Sequence, residues 1–218
     1  MNTLMSAPVG PLLDRLFAQA DQAISPVLDE ISEEDRMRLL QSKTGYLQFY
    51  GQLKDLWLPV SRETGKLLYL LARSSNAKSI VEFGTSFGLS TIHLAAALKD
   101  NGGGRLITTE FEPSKVARAR DHIEESGLSD LVEIREGDAL QTLKSDLPNT
   151  IDLLLLDGAK GLYQEILALL EDRLRPGSLI LADDADMSPD YLLHIKSPAS
   201  GYLSIPVGED VELSMRLG

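Results

Sequence analysis

The N-terminal part of the chain spaces its apolar residues with the period of an α-helix. Between residues 12 and 28, apolar side chains recur three or four positions apart, which places them on one helix face. They are Leu12, Leu13, Leu16, Phe17, Ala20, Ile24, Val27 and Leu28. The pattern predicts a helical N-terminal cap over residues 1–58, ahead of a second part with a different pattern.

From residue 59 to residue 218, short apolar runs alternate with stretches of helical period. Five runs have the length of strands, at Ser79–Phe83, Leu106–Thr109, Val132–Ile134, Ile151–Leu156 and Ser178–Ala182. Strands that alternate with helices indicate βαβ units and a parallel sheet covered on both faces. Two further runs, Tyr202–Pro206 and Val211–Arg216, are joined by a short turn at residues 207–210, which predicts a hairpin. The expected fold class is therefore α/β, a doubly wound, mostly parallel sheet closed by a C-terminal antiparallel hairpin.

Proline and glycine mark several helix boundaries between these strands. Pro113 suits the first turn of a helix over Ser114–Ser126, and Gly127 suits the position just beyond its last turn. Ser188 followed by Pro189 predicts another helix start, with Ser188 as its cap.

Length, charge and cysteine content narrow the classes of protein. A chain of 218 residues with 43% hydrophobic content is expected to form one domain, in which the cap packs on residues 59–218. A net charge of -12 disfavours nucleic acid, and the densest basic run, Lys115 to Arg120, falls on a mixed-charge helix. The absence of cysteine excludes disulfides and thiolate chemistry. Because no targeting or membrane-spanning segment is evident, we expect a cytoplasmic protein without a membrane partner.

The ends of the first three predicted strands carry the candidate binding chemistry, since ligands of such sheets bind at the carboxyl ends of strands. The first strand leads from Glu82 into a loop with Gly84 and Gly88, a GxxxG pattern instead of the dinucleotide GxGxxG. Glu82 would repel a pyrophosphate and attract an ammonium group. Glu110 ends the second strand and can accept both hydroxyls of a ribose. Asp138, which follows the third strand, can recognise an adenine edge together with a backbone amide.

Each of these features also has a purely structural interpretation. The glycine loop can be a tight turn, Glu110 can cap the helix that begins at Pro113, and Asp138 can cap a helix over residues 139–144. Taken one at a time, the structural interpretations are at least as favoured. Their order on three successive strands instead favours a cofactor that carries an ammonium group, a ribose and an adenine.

These strand ends resemble the class I S-adenosylmethionine-dependent methyltransferases, and within them the catechol and caffeoyl-coenzyme A O-methyltransferase-like family. The resemblance runs from Pro59 to the C-terminus and includes the hairpin turn Gly208-Glu209-Asp210. It implies a Rossmann-like, seven-stranded sheet, the cofactor S-adenosylmethionine and a small-molecule hydroxyl acceptor that is catechol-like. The cofactor contacts implied are Val60, Ser61, Glu82, Gly84, Ser90, Glu110, Phe111, Asp138, Ala139 and Asp157.

The same resemblance implies a catalytic centre on the fourth and fifth strands. Asp157, Asp183 and Asp184 fall on positions that bind a divalent cation in metal-dependent members, and three carboxylates suit Mg²⁺. Asp157 and Lys160 are the implied catalytic residues, with Lys160 taking or stabilising the acceptor proton. The structural alternatives are a solvated lysine at a helix start and aspartates that cap the following helix.

Two departures from the family pattern leave alternatives open. Asp184 replaces the usual asparagine. The added charge either tightens cation binding or indicates a branch of the family that has lost the metal. Ala159 stands where relatives carry an acid or an aromatic residue. The competing functions are a metal-independent methyltransferase, a nucleotide-binding oxidoreductase and a silent cofactor-binding module.

Three remaining features give weaker expectations. The aromatic residues Tyr46, Phe49, Tyr50 and Trp57 either line the acceptor pocket or pack the cap on its domain. The three histidines fall within helical patterns and are expected to have no chemical role. The apolar stripe of the N-terminal helix needs a partner surface, which predicts a homodimer in which the N-terminal helices help to close the site. The alternative is that these helices pack entirely on their own domain.

Overall fold

The computed structural model describes residues 2–23, 31–208 and 210–218. Its helices are α1 (Val9–Ala20), α2 (Glu33–Leu40), α3 (Tyr46–Gln52), α4 (Arg62–Ser74), α5 (Leu89–Asp100), α6 (Pro113–Ser126), α7 (Ala139–Thr142), α8 (Tyr163–Leu170) and α9 (Pro189–Ile195). Its strands are β1 (Ser79–Phe83), β2 (Arg105–Glu110), β3 (Val132–Glu136), β4 (Ile151–Leu156), β5 (Leu174–Ala182), β6 (Tyr202–Val207) and β7 (Val211–Arg216). No helix in the described part of the chain is both long enough and apolar enough to span a bilayer.

The seven strands form one sheet in the order β3-β2-β1-β4-β5-β7-β6. Strands β1 to β5 are parallel, whereas β7 pairs antiparallel with both β5 and β6. The predicted doubly wound sheet with a terminal hairpin is therefore confirmed. The strand order reverses between β1 and β4, and this switch point opens the crevice in which such sheets bind ligands.

Strand β4 lies at the centre of the sheet and explains why both faces are covered. All six of its residues are buried, and successive side chains point to opposite faces. Leu153 and Leu155 join the apolar cluster that includes α1, α4 and α5, whereas Leu154 and Leu156 join the cluster under α8 and α9. A leucine buried in this way contributes about 1.5–3 kcal/mol.

Helix α1 packs on its own domain. Its apolar face, which includes Leu12, Leu16 and Phe17, belongs to the same cluster as residues of α4 and α5. The stripe therefore has a partner surface within the chain, and the argument that it requires a second copy is wrong. Ile24, Val27 and Leu28 of the predicted stripe lie outside the described residues.

The predicted helix ends are confirmed for α6 and only in part for α9. Helix α6 begins at Pro113 and ends at Gly127, whose φ of +68° is a left-handed conformation that glycine adopts at low cost. Helix α9 begins at Pro189, but the Ser188 side chain makes no capping hydrogen bond. Asp184, at φ +49°, precedes a 3₁₀ turn over Ala185–Met187 and does not cap it with its side chain.

Strand β5 starts four residues earlier than its apolar run predicts. The structure begins it at Leu174, and its pairing with β4 shifts register between Ile151 and Leu153. Pro176 and Gly177 occupy the early part of the strand, where proline donates no ladder hydrogen bond and glycine has φ +88°. These residues interrupt the apolar pattern without ending the strand. Glu209 of the predicted hairpin turn lies outside the described residues.

Candidate active site

The first strand-to-helix loop is held against the end of β4 at the switch point. The Asp157 amide donates to the Phe83 carbonyl at 2.8 Å, which fixes the end of β4 beside β1. Gly84 has φ +104°, and a Cβ atom placed there would lie 2.4 Å from the Asp157 carbonyl oxygen. Only glycine permits this approach, so the loop geometry depends on Gly84.

A cavity of about 70 Å³ opens above this loop, at the carboxyl ends of β1, β2 and β3. Six of the predicted cofactor residues line it: Gly84, Glu110, Phe111, Asp138, Ala139 and Asp157. A narrow cleft beside it is lined by Pro59, Ser86, Ser90 and Asp157. The residues predicted from three successive strand ends therefore do meet in one place.

Glu110 closes one wall of this cofactor cavity. Its carboxylate accepts hydrogen bonds from the Ser86 amide at 2.9 Å and the Glu112 amide at 3.0 Å. Burial raises the pKa of Glu110 above its usual value, although the Glu112 amide and the charge of Lys115 oppose that effect. Glu112, and not Glu110, caps α6, so the capping interpretation of Glu110 is wrong.

Asp138 serves the fold and the cavity together. Its carboxylate accepts the Leu140 amide at 2.9 Å and so caps the short helix α7. The same side chain lines the cavity opposite Tyr46 of the cap. Burial, together with the hydrogen bond to Asp138, raises the pKa of Tyr46 to about 12. The structural interpretation of Asp138 is confirmed, and it is compatible with a place in the cofactor cavity.

Glu82 lies beneath the cleft and does not line it. The side chain is fully buried and accepts hydrogen bonds from the Ser90 hydroxyl at 2.5 Å and the Thr91 hydroxyl at 2.6 Å. Burial raises the pKa of Glu82, although these hydroxyls lower it. Ser90 lines the cleft, so the Glu82 carboxylate lies one hydrogen bond behind the cleft wall.

The segment before β1 meets the cavities two residues earlier than predicted. Leu58 lines both the cofactor cavity and the cleft, and Pro59 lines the cleft. Val60 is instead buried, and Ser61 caps α4 by accepting the Thr64 amide at 2.9 Å. Neither Val60 nor Ser61 is part of a cavity wall.

Lys115 was missed by sequence reasoning. It lies in the first turn of α6 and is only 4% exposed, and it lines the cofactor cavity near Glu110. Burial lowers the pKa of Lys115, although the carboxylates of Glu110 and Glu112 raise it. Within a run of basic residues on a mixed-charge helix, nothing in the pattern separates this lysine from its solvated neighbours. Its place five residues after Glu110 is the only signal.

A second cavity of about 160 Å³ lies on the other side of Asp157. The cap supplies Phe49 and Tyr50 to its wall, and the sheet supplies Lys160, Asp183 and Asp184. Tyr46 and Trp57 line the cofactor cavity and the cleft, so all four predicted aromatic residues face a cavity. Asp157 alone among the predicted residues lines all three spaces.

This second cavity is called the acceptor-side cavity below, and Asp157, Asp183 and Asp184 are its acidic cluster. The Lys160 ammonium lies at the centre of that cluster. It lies 3.1 Å from Asp157 Oδ1 and 3.0 Å from Asp184 Oδ2. It also donates to the Tyr163 hydroxyl at 2.9 Å and to the Asp183 carbonyl at 3.2 Å. Lys160 is 5% exposed, so it is not the solvated lysine of the structural alternative.

Charge and burial act against each other in this cluster. Burial raises the pKa of Asp157 to about 6, and burial with repulsion from Asp157 raises the pKa of Asp183 to about 8. Burial alone would lower the pKa of Lys160, but Tyr163 and the carboxylates of Asp157 and Asp184 raise it well above its usual value. Lys160 is therefore a charged ammonium here, and it forms ion pairs with two of the three aspartates, Asp157 and Asp184.

The described residues contain no group of three or more His, Cys, Asp or Glu side chains arranged to hold a metal ion. In the acidic cluster, the Lys160 ammonium contacts both Asp157 and Asp184. The donor set of the cluster nevertheless fits a hard divalent cation, because three carboxylates line one cavity. The histidines lie elsewhere: among the described residues, none lines the three cavities.

Comparison with known proteins agrees with this arrangement. Residues 81–185 match the family model described as a methyltransferase domain. A catechol O-methyltransferase of Niastella koreensis is 41% identical over 177 residues, which cover 78% of this chain and 74% of that protein. Catechol O-methyltransferase B of Danio rerio is 32% identical over 73% of this chain, and the chain spans 63% of that longer protein.

A solved structure extends the agreement to the fold. The O-methyltransferase TomG of Streptomyces achromogenes, in complex with SAM, is 28% identical and superposes with a TM-score of 0.62. The match covers 86% of this chain and all of that one, 100%. The chain belongs to the catechol O-methyltransferase-like family of class I S-adenosylmethionine-dependent O-methyltransferases.

Proposed function

We propose that this protein transfers the methyl group of S-adenosylmethionine to a hydroxyl of a small, catechol-like acceptor held in the 160 Å³ cavity. The observation that carries the proposal is the position of Asp157, which lines the cofactor cavity, the cleft and the acceptor-side cavity. A cofactor in the first cavity and an acceptor in the acceptor-side cavity would both lie next to Asp157. Holding both in that relation replaces a bimolecular encounter by an oriented one.

Different walls of the cofactor cavity and the cleft suit different parts of S-adenosylmethionine. Glu110 suits the ribose hydroxyls, and Asp138 with Ala139 suits the adenine edge. The cleft at Ser90 suits the amino-acid end, where the buried charge of Glu82 attracts an ammonium group. Val60 and Ser61 stay proposed contacts through their backbone, because the Ser61 side chain already caps α4.

On the acceptor side, Lys160 is proposed to bind the reacting oxygen. As that oxygen bonds to the methyl carbon, the bond from the carbon to sulfur breaks and the demethylated cofactor leaves. The acceptor proton passes to Lys160 when it is neutral, or to water when Lys160 stays charged and stabilises the oxyanion. Asp157 orients Lys160 through the 3.1 Å ion pair.

We also propose that Asp157, Asp183 and Asp184 hold a divalent cation, Mg²⁺ being the best match to three carboxylates. When bound, such a cation would hold both oxygens of a catechol and lower the pKa of the hydroxyl. The excess of carboxylates over ammonium groups supports the proposal. Because the Lys160 ammonium now lies between Asp157 and Asp184, a cation at that place requires the ammonium to move away.

The test is methyl transfer to catechol, measured by mass spectrometry with S-adenosylmethionine and Mg²⁺. We expect a monomethylated product, loss of turnover on chelation, and retention of cofactor binding by calorimetry. Asp183→Ala should behave like chelation. Turnover that survives thorough metal removal would replace the cation by the metal-independent mechanism. Cofactor binding without methylation of any dihydroxy-aromatic compound would overturn the catechol-like acceptor.

A homodimer and a cytoplasmic location stay proposals. The surface that supports a dimer is the hairpin of β6 and β7. On one face of it lie Leu203, Ile205 and Met215, whose side chains are 57%, 53% and 36% exposed. Apolar side chains grouped in this way on an edge hairpin favour association. Light scattering should give twice the chain mass, and Ile205→Lys should give the monomer. A wild-type monomer with full activity would count against the dimer.

A further inference from the structure

The wall of the acceptor-side cavity contains a second positive side chain. Besides the acidic cluster with Lys160, the one other charged residue in this wall, among the described residues, is Arg36 of α2. The rest of the wall is mostly apolar or aromatic, formed by Leu40, Phe49, Leu53, Leu58 and Met187 among others. The cavity therefore combines an apolar wall with two separate sources of positive charge, Lys160 and Arg36.

Arg36 is an exposed residue, and the packing of α2 places it at the cavity wall. Leu40, one helical turn after Arg36 and on the same helix face, also lines the cavity and is only 9% exposed. Leu40 packs in a cluster with Phe49 and Leu53, which fixes the rotation of α2. Ser32 begins the helix by accepting the Asp35 amide at 3.1 Å, so its register is also set.

Arg38, two residues after Arg36, forms an ion pair of a kind that Arg36 does not form in the described part of the chain. Arg38 pairs with Asp35 at 2.8 Å on the outer side of α2. Within the described residues, no carboxylate lies within 4.0 Å of the Arg36 guanidinium. Arg36 thus places a positive charge at the cavity wall of a protein whose net charge is -12.

Size and polarity indicate what fits in this cavity. A cavity of about 160 Å³ is close in size to the roughly 150 Å³ cavity that holds one benzene ring. The Tyr50 hydroxyl is buried and has no side-chain hydrogen-bond partner among the described residues, and Asp157, Lys160 and Asp184 lie near it. An oxygen of the acceptor would bond to that hydroxyl, which places the hydroxyl groups of the ring beside Lys160. Arg36 is then the other positive side chain of the wall, available to a further substituent of the ring.

We propose that the natural acceptor is a dihydroxyaryl carboxylate, whose carboxylate binds Arg36 while its hydroxyls face Lys160 and Tyr50. The proposal rests on the proposed function and narrows its substrate class. A guanidinium matches a carboxylate with two parallel hydrogen bonds, which neither a neutral nor a cationic substituent can form. The negative charge of the whole protein opposes entry of an anion, so a local positive group is needed to select one.

The test compares three acceptors of one ring size: 3,4-dihydroxybenzoate, neutral catechol and cationic dopamine. For the wild type, kcat/KM is expected to be highest for the benzoate. Arg36→Gln should lower the ratio of benzoate to catechol kcat/KM about tenfold to a hundredfold, mainly through KM, as expected for one charge-assisted contact. Arg36→Glu should reverse the preference in favour of dopamine. Arg38→Gln, which removes the same charge two residues away, is the matched control and should keep the wild-type ratio.

A second readout separates this inference from the proposed function. Binding of 3,4-dihydroxybenzoate in the presence of the demethylated cofactor, measured by calorimetry, should weaken by the same factor in Arg36→Gln, whether or not methyl is transferred. Equal ratios and equal affinities in the wild type and Arg36→Gln would overturn the role of Arg36 while leaving catechol methylation intact. Arg36-dependent binding of the benzoate without methylation would instead leave this inference standing and reject the reaction.

Discussion

The Tyr163 hydroxyl joins Lys160 to the end of β5: it accepts a hydrogen bond from the Lys160 ammonium at 2.9 Å and donates one to the Asp183 carbonyl at 2.7 Å. Tyr163 is fully buried, and its ring packs edge-on against those of Phe83 and Tyr191. A buried ring cannot move to follow a flexible lysine, so the phenol sets where the ammonium lies. Tyr163 is thereby a positioning residue for Lys160.

Tyr163→Phe should lower kcat about tenfold and leave the affinity for S-adenosylmethionine within twofold of the wild type. The variant keeps the ring but removes one partner of Lys160 and one of the Asp183 carbonyl, at a cost of about 1–2 kcal/mol in unfolding free energy. Steady-state kinetics, calorimetry and urea unfolding measure the three quantities. Tyr202→Phe is the matched control, because its hydroxyl contacts Glu171, outside the walls of the three cavities. If kcat changes no more in Tyr163→Phe than in this control, Tyr163 does not position Lys160.

Glu110→Gln should weaken binding of S-adenosylmethionine at least tenfold. The carboxylate accepts the Ser86 and Glu112 amides on separate oxygens, and an amide side chain would turn a donor toward one of them. The ribose would also lose an acceptor. Calorimetry with the cofactor measures the effect, and NAD should fail to bind the wild type. Glu136→Gln, at the end of the neighbouring strand β3, is a control that should bind normally. Tight NAD binding would contradict the assignment of this cavity.

Gly84→Ala should destabilise the fold by roughly 2–4 kcal/mol and abolish turnover. The new methyl group would meet the Asp157 carbonyl at 2.4 Å, in a backbone conformation of φ +104° that alanine disfavours. Gly103 has nearly the same φ, +99°, but nothing lies within 4 Å of its Cβ position. Gly103→Ala therefore measures the conformational cost alone, and urea unfolding of both variants isolates the steric clash. Equal losses in the two variants would show that the loop accommodates a side chain at residue 84.

His93 should make stability depend on pH between about 6.5 and 4. Burial lowers the pKa of His93 to about 4 from 6.5, even though its Nδ1 contacts the Leu89 carbonyl at 2.8 Å. Within that window the unfolded chain binds a proton that the folded protein does not, so stability falls as the pH falls. The stability contributed by neutral His93 is fully present above pH 6.5. Below pH 4 the loss of stability levels off at about 3 kcal/mol.

Comparison with His93→Asn isolates this contribution from that of the buried carboxylates. The difference in unfolding free energy between wild type and variant should shrink by up to about 3 kcal/mol on going from pH 7 to pH 4. Urea unfolding at several pH values measures it. A difference that stays constant over this range would show that the pKa of His93 is the same in the folded and the unfolded state.

The sequence by itself determined the sheet and most of the cofactor cavity. Apolar runs located all seven strands, and parallel strands place their carboxyl ends at one edge, so Gly84, Glu110, Asp138 and Asp157 had to meet. That argument needs only the order of elements along the chain. The family resemblance was recognised from residues at those same strand ends, and the comparison with known proteins confirmed it.

The tertiary structure alone decided which charges face one another and what the cap covers. Lys160 is flexible enough to reach solvent or either neighbour, and only packing around Tyr163 places its ammonium between Asp157 and Asp184. Lys115 resembles a solvated residue of a charged helix until helix rotation turns it into a cavity, and only the packing of α2 places the exposed Arg36 at a cavity wall. A helix pattern gives the period of burial but not the partner surface, because that surface comes from residues distant in the chain. For the same reason the sequence showed the apolar stripe of α1, but only the structure shows that α4 and α5 are the helices it packs on.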